Sequence, residues 1–379
     1  YTTYLATLIG AVWLKIFPGL GLWGLNLLEI LLEWATCIVV YQTFKTKFGK
    51  ITTLCGIAIT MLGISTYVNI FNYHQLNMAL CCMMLCFMYM GLTKKKKYLL
   101  FISGCMGALA ITCRMPSVLT LVCVLCIVYW HIWESKSRIG LGKNIWAFIS
   151  GYVVIGILVI AFLYCFQLTD IIIGEIFRIN DLGSTGSASY GTSSIIINLI
   201  RDTFCGILAA LLFTVSVLFF AVIYEWGQKR RKTRYWILGI YILVMIPTIY
   251  AAVYIVGQAP PFGQLTSFSW FLYGMCVEIC LYYMIKGIMK PTEKYAEDGT
   301  IAMMAIALIL LCIVGSAARA KHVILGLWII TPFIGNKIKE IVWNAKKIRF
   351  PATKKLSIEK LSVKSLRAAT SIILISATI

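Results

Sequence analysis

The chain has 379 residues, of which 60% are hydrophobic and only 13% charged, and its formal net charge is +20. A soluble globule of this size cannot bury so much apolar surface, so lipid must solvate part of it. The composition therefore predicts a polytopic membrane protein. It argues against nucleic acid as a partner, because the basic residues lie beside apolar spans, where topology and anionic lipid headgroups account for them.

The first segment, residues 1–17, is helical in pattern but only marginally long enough to cross a bilayer, and Pro18 and Gly19 follow it. If this segment crossed, every later span would be inverted and the charge pattern of the loops would fail. We therefore predict an interfacial helix on the outer membrane surface. The first residue is Tyr1 rather than Met, so we expect a truncated amino terminus.

Eleven apolar runs follow, and most of the 34 basic residues fall in the loops on one side of them. By the positive-inside rule this side is cytoplasmic. We predict an all-α transmembrane bundle of about eleven spans with one interfacial helix. Residues 1–345 form the membrane domain, with a long outer loop at 167–203. Residues 346–379 form a basic cytoplasmic segment that leads into a possible truncated span. The predicted spans are 22–44, 51–71, 76–92, 98–113, 117–133, 144–166, 204–224, 235–256, 267–288, 300–316 and 323–335.

This alternation makes a direct topological prediction. Positions 95 and 230 should face the cytoplasm and position 186 the outside, because Lys95 and Arg230 lie in basic loops and Gly186 in the long outer loop. Single cysteines at these positions, in a background without native cysteines, can be tested with an impermeant thiol reagent on intact cells. Labelling at position 95 but not at 186 would mean that the topology is inverted.

Cysteine is abundant, with 14 residues, but most of them lie inside apolar runs. Cys123 and Cys126 have the spacing of a metal or redox pair, yet no histidine or acid lies near them, so packing is the favoured interpretation. No metal site is predicted. Small polar residues at 181–194 favour either a loop that covers a substrate or a flexible connector.

Arg114 lies at the outer junction of two spans, and Pro116 follows it. A guanidinium at headgroup depth suits a phosphate, because its fork can bind two oxygens. The alternative is an arginine that only reaches lipid phosphates. We predict that Arg114 contacts the phosphate of a substrate, and that its place at a helix end keeps it out of the packed interior.

Glu29 and Glu33 lie four residues apart, so they share one helix face in the outer half of a span. Carboxylates at this depth usually face a bundle interior or a wet cavity. They serve either as a base or proton relay, or as structural partners of Arg114 or of backbone groups. Asp181 in the outer loop is a third acidic candidate.

Further polar side chains are predicted on the outer side, where basic residues are scarce. His74 lies there, and so do Arg319, Lys321 and His322 in one short loop. We predict substrate binding by His74, Arg319 and Lys321, since the last two can together neutralise a diphosphate or phosphosugar. Solvation of the surface is the alternative interpretation.

The order of these parts resembles the GT-C class of membrane glycosyltransferases, which take sugars from polyprenyl-phosphate carriers. Two segments carry the resemblance: TTYLATLIGAVWLKIFPGLGLWGLNLLEILLEWATCIVVYQTF at 2–44, and KKKKYLLFISGCMGALAITCRMPSVLTLV at 94–122, whose Gly-rich span ends at Arg114 and Pro116. It covers roughly residues 2–133. The resemblance implies a lipid-linked sugar donor, a glycan, lipid or protein acceptor, and a place in the cell envelope, in a bacterial cytoplasmic membrane. No cofactor is implied, and the need for a divalent metal stays open.

In that family the catalytic acid lies in an outer loop upstream of the interfacial helix. The chain begins after this point, so we expect the base upstream of residue 1. The acids of this chain, Glu29, Glu33 and Asp181, are the remaining candidates. A polysaccharide polymerase or flippase and an ion-coupled transporter are the alternative functions. A flippase should have a cavity that opens alternately to both faces, whereas a glycosyltransferase should have a fixed outward cavity.

Overall fold

The structure is a computed structural model. It describes residues 4–65, 70–134, 140–169, 265–290, 292–314 and 319–347, together with isolated positions between 174 and 214. Within these ranges every regular element is helical, which confirms the all-α prediction for a membrane protein.

Ten α-helices are described, and we number them in chain order. They are α1 (Tyr4–Ile16), α2 (Gly21–Phe48), α3 (Lys50–Ile64), α4 (Tyr73–Thr93), α5 (Lys97–Cys113), α6 (Val124–Tyr129), α7 (Leu141–Cys165), α8 (Leu265–Met289), α9 (Glu293–Ile313) and α10 (Ile330–Lys347). Three 3₁₀ segments, Pro18–Leu20, Met115–Cys123 and Arg319–Gly326, and one π-helical turn, Trp130–Glu134, connect them.

Six helical segments of the described chain are long and apolar enough to cross a membrane. They match six of the predicted spans, and α3 and α5 are shorter apolar helices at two more. The six segments are Pro18–Phe48, Tyr73–Thr93, Met115–Trp133, Leu141–Cys165, Leu272–Met289 and Lys294–Ile313.

The remaining predicted spans differ from the structure or lie outside it. The span at 204–224 is described only at scattered positions, and the span at 235–256 lies outside the described residues, as does the segment 348–379. The span at 323–335 is not one helix, because a 3₁₀ segment ends at Gly326 and α10 begins at Ile330. The helix predicted at 300–316 begins earlier, at Glu293, since helical backbone continues beyond the apolar run into the acidic residues before it.

The amino-terminal helix α1 ends before Pro18, as the sequence predicts. A proline at the start of the next turn cannot continue the α-helical hydrogen bonding, so the chain changes direction there. The indole N–H of Trp13 donates to the carbonyl of Gly24, at 2.7 Å, and ties α1 to the first turn of α2. The helix is confirmed, and its place on the membrane surface stays a prediction.

Helix α4 is a central helix of the first unit and packs against α2, α5 and α9. Its cysteines Cys81, Cys82 and Cys86 are fully buried, which agrees with their interpretation as small apolar residues. The buried amide of Asn77 accepts a hydrogen bond from the Ser117 hydroxyl at 2.6 Å, and the Ser103 hydroxyl donates to the Met84 carbonyl at 2.7 Å. These three buried polar side chains are thereby paired within an apolar core.

One side of α7 carries large apolar side chains that no described residue covers. Ile157 is 60% exposed, Leu158 58% and Ile160 68%. A continuous apolar face of this kind is unstable in water and stable in acyl chains. The opposite side of α7 packs tightly on α5, where Gly151 of α7 meets Gly104 of α5. Small residues at such a contact let two helix backbones approach closely.

The chain forms two compact units, Tyr1–Arg201 with Ile279–Phe333, and Asp202–Glu278 with Ile334–Ile379. In the second unit, the hydroxyls of Thr203 and Tyr273 are hydrogen-bonded at 2.7 Å, and the Thr214 hydroxyl donates to Glu278 at 3.2 Å. All the candidate site residues that the structure describes belong to the first unit.

Candidate functional site

Arg114 occupies the junction between α5 and the following 3₁₀ segment, in an extended backbone conformation. Its guanidinium donates to three backbone carbonyls, those of Val314 at 2.6 Å, Leu311 at 3.4 Å and Cys312 at 3.5 Å. These carbonyls terminate α9, where no further helical turn is available to bond them. Arg114 therefore caps the carboxyl end of α9, and its charge opposes the negative end of that helix dipole.

This contact corrects one part of the sequence interpretation. Arg114 does lie at a helix end, but only 5% of its surface is exposed, so it belongs to the packed interior. Its partners are almost two hundred residues away in the chain. No local pattern around Arg114 indicates them.

His74 lies in the first turn of α4, and Asn72 fixes that turn. The Asn72 side-chain oxygen accepts hydrogen bonds from the backbone N–H groups of His74, at 2.9 Å, and Gln75, at 3.2 Å. This is an amino-terminal cap of a type that asparagine readily forms. The Asn72 amide also donates to Gln75 Oε1 at 2.6 Å. The spacing of Asn72 and Gln75, three residues apart, is the sequence signal for this cap.

The imidazoles of His74 and His322 stack, with ring centroids 4.6 Å apart and planes inclined by 23°. His322 is buried, whereas His74 is half-buried, and the charge of Arg114 lies close enough to act on His74. The structure thus gathers three basic side chains from α4, from the α5 junction and from the 3₁₀ segment Arg319–Gly326. Arg319 and Lys321 share that segment, but their side chains lie outside the described residues.

Glu29 and Glu33 line a different cavity, a small cleft of about 20 Å³ for the centre of a water molecule, bounded by α2, α3, α4 and the chain at 325–328. Gln75, Met78, Leu325 and Trp328 also line this cleft. The two carboxylates are close enough to interact electrostatically, as their spacing of one helical turn predicts. Arg114 is not part of the lining. Asp181, the third acidic candidate, lies outside the described residues.

A further charged cluster brings together three residues that no pattern in the sequence connects. Glu297 of α9 forms an ion pair with Lys47 of α2 and accepts a hydrogen bond from the Tyr89 hydroxyl of α4, at 2.5 Å. From the sequence, Lys47 is one of the loop cations that the positive-inside rule places on the cytoplasmic side. Some 250 residues separate Lys47 from Glu297, so only the fold reveals this contact.

The described part of the chain has no group of three or more histidine, cysteine, aspartate or glutamate side chains arranged to hold a metal ion. Cys123 and Cys126 are both buried in apolar surroundings. The arrangement therefore offers two polar sites in the first unit: the basic cluster of Arg114, His74 and His322, and the acidic cleft of Glu29 and Glu33.

Comparison with known proteins finds one family similar to the first part of the chain. Residues 3–165 match the family model of dolichyl-phosphate-mannose-protein mannosyltransferase. No curated protein and no solved structure matches the chain. The matched segment includes α1 to α7 and carries Glu29, Glu33, His74 and Arg114, which agrees with the resemblance inferred from the sequence. Residues 3–165, less than half of the chain, are thus similar to the dolichyl-phosphate-mannose-protein mannosyltransferase family, and the long apolar helices support an integral membrane protein.

Proposed function

We propose that the protein transfers a sugar from a polyprenyl-phosphate carrier to a glycan, lipid or protein acceptor at the outer face of a bacterial cytoplasmic membrane. The family match of residues 3–165 supports a lipid-phosphate-sugar-dependent membrane glycosyltransferase in general. The donor, the acceptor and the face of the membrane are our proposal.

The observation that carries this proposal is the convergence of Arg114, His74 and His322 in one place. The carbonyls at the end of α9 would repel a phosphate, but Arg114 bonds three of them and brings a positive charge. His74 is the half-buried member of the cluster, so it is the one that a ligand can reach. We assign the direct contact to the carrier phosphate to His74, with Arg114 contributing its charge.

Arg319 and Lys321 precede His322 by three residues and one residue, in the same 3₁₀ segment. We propose that they add positive charge around the same phosphate. A cluster with several cations from separate elements stabilises the charge that grows on a departing phosphate better than a single cation does.

In the proposed reaction, a carboxylate removes the proton of the acceptor hydroxyl while its oxygen attacks the anomeric carbon of the sugar. The bond from that carbon to the carrier phosphate oxygen breaks, and the phosphate leaves with the bonding electron pair. Asp181, Glu29 and Glu33 are the acids of this chain that we consider for the base. Glu29 and Glu33 line a cleft, as a base that meets an acceptor must.

Replacement of His74 by alanine tests the phosphate assignment. We expect transfer from a polyprenyl-phosphate sugar to fall by roughly 10- to 100-fold, mainly as a higher KM for the donor, because one donor group to the phosphate is lost. The protein is assayed in liposomes with radiolabelled donor, and both kcat and KM are measured.

Lys97→Ala is the matched control, since Lys97 is an exposed cation at the opposite end of α5, about 25 Å from Arg114 along the helix. We expect its kinetics to equal those of the wild type. Equal donor KM values for wild type and His74→Ala would refute the phosphate assignment. Donor movement across the bilayer without sugar release would indicate a flippase instead.

A further inference from the structure

The acidic cleft of Glu29 and Glu33 contains an unusual buried group. Glu29 exposes only 3% of its surface, and its Oε2 atom has no hydrogen-bond partner among the described residues. Glu33, one turn along the same helix, is half-buried in the same cleft. A carboxylate at this depth is costly unless a partner compensates its charge or completes its hydrogen bonds.

The described protein does not provide this compensation within the cleft. No lysine, arginine or histidine lines it, and its other walls are mainly apolar, with Leu32, Met78 and Leu325 among them. The carboxylates of Glu29 and Glu33 lie one turn apart on α2 and repel each other when both are ionised, and a positively charged group between them removes this repulsion. A ligand that enters the cleft from outside the protein can supply this group.

The chemistry of the lining distinguishes the possible ligands. Calcium and magnesium ordinarily take six or more oxygen ligands and zinc four protein or water ligands, and the described part of the chain holds no metal-ligating group of three or more acids, histidines or cysteines. A neutral hydroxyl can donate to Glu29 but leaves the negative charge of the pair in place. A primary ammonium group donates three hydrogen bonds and also carries the opposing charge.

The lining residue Trp328 also favours a cation in the cleft. Its indole lines the same cleft, and indole is the best aromatic partner for a cation. From these observations we propose that the cleft of Glu29, Glu33 and Trp328 binds a primary ammonium group, with the two carboxylates as hydrogen-bond acceptors. The amine belongs either to a membrane lipid headgroup or to a soluble molecule. This site is separate from the basic cluster, and its test measures binding rather than sugar transfer, so the two proposals can fail independently.

Fluorine NMR on the purified full chain in phosphatidylglycerol nanodiscs tests the proposal. The probe is 2-fluoroethylammonium, and 2-fluoroethanol is its neutral counterpart. We expect saturable broadening of the ammonium signal and at least tenfold weaker binding of the alcohol. Glu29→Gln should weaken ammonium binding by about tenfold or more, because glutamine keeps the shape and removes the charge.

Glu33→Gln is the second variant, at a half-buried position where folding is less at risk, and it should weaken binding by several fold. Glu278→Gln is the matched control, since Glu278 is another glutamate in an apolar helix but lies in the second unit. It should bind like the wild type. Equal binding of alcohol and ammonium, or wild-type affinity in both Glu29→Gln and Glu33→Gln, would overturn the proposal.

A second lipid composition identifies the source of the amine. If phosphatidylethanolamine nanodiscs abolish binding of the probe to the wild type, a lipid headgroup occupies the cleft. If the probe binds equally in both lipids, the occupant is a soluble amine. Both results support an ammonium site, and they separate its two sources.

Discussion

Replacement of Gly104 by leucine is expected to prevent correct packing of α5 against α7. A Cβ atom at Gly104 would lie closer than 3.0 Å to the backbone carbonyl oxygen of Phe148, and one at Gly151 would lie equally close to the backbone of α5. Backbone cannot move aside as a flexible side chain can, so the two helices must separate. We expect the free energy of unfolding to fall by more than about 3 kcal/mol, which is the upper end of the usual cost of overpacking.

The measurement is the fraction of detergent-extracted protein that elutes as a single symmetrical peak in size-exclusion chromatography after mild heating. Gly156→Leu provides the control on α7, because a Cβ at Gly156 meets no atom within 4 Å. This variant should elute like the wild type. If Gly104→Leu and Gly156→Leu behaved alike, the close contact between α5 and α7 would be wrong.

The second large effect is expected at Arg114. Arg114→Ala leaves the carbonyls of Leu311, Cys312 and Val314 without their donor in a buried place and removes the charge that opposes the α9 dipole. Losing charged hydrogen bonds of this kind costs roughly 3 kcal/mol. For a chain of 379 residues that corresponds to a fall in Tm of roughly 4 °C, measurable by scanning fluorimetry in detergent.

Two further variants separate the causes of this effect. Arg114→Met restores most of the side-chain volume but none of the hydrogen bonds, so it should be nearly as unstable as Arg114→Ala. Arg114→Lys keeps the charge but loses the fork that reaches several carbonyls, so its Tm should lie between alanine and wild type. A methionine variant as stable as the wild type would show that the carbonyl contacts contribute nothing.

The structural role of Arg114 also contributes to any loss of activity in its variants. Because Arg114 holds the end of α9, and His322 lies nine residues beyond that end, we expect a change at Arg114 to displace the segment that contacts His74 as well. Loss of transfer in Arg114→Ala therefore combines lost charge with lost structure. His74→Ala is the cleaner test of phosphate binding, since the cap of α4 uses the backbone of His74 rather than its imidazole.

The amino-acid sequence by itself determined the membrane class, the helical fold and the positions of most spans. These properties depend on the hydropathy and length of contiguous segments, and residues such as Pro18 end a helix wherever it packs. The pairing of Glu29 and Glu33 on one face was also predictable, because a spacing of four residues places both on one side of any α-helix. The break between Gly326 and Ile330 was not predictable from hydropathy alone, since an apolar run can be either a 3₁₀ segment or an α-helix.

Only the tertiary structure decided what these residues contact. Arg114 faces the end of α9 rather than an open cavity, and His74 meets His322 across some 250 positions of the chain. Glu29 and Trp328 line one cleft although nearly three hundred residues separate them. Such contacts depend on how helices distant in sequence pack. The periodicity of a single helix shows which face is polar, but it carries no information about which partner that face meets.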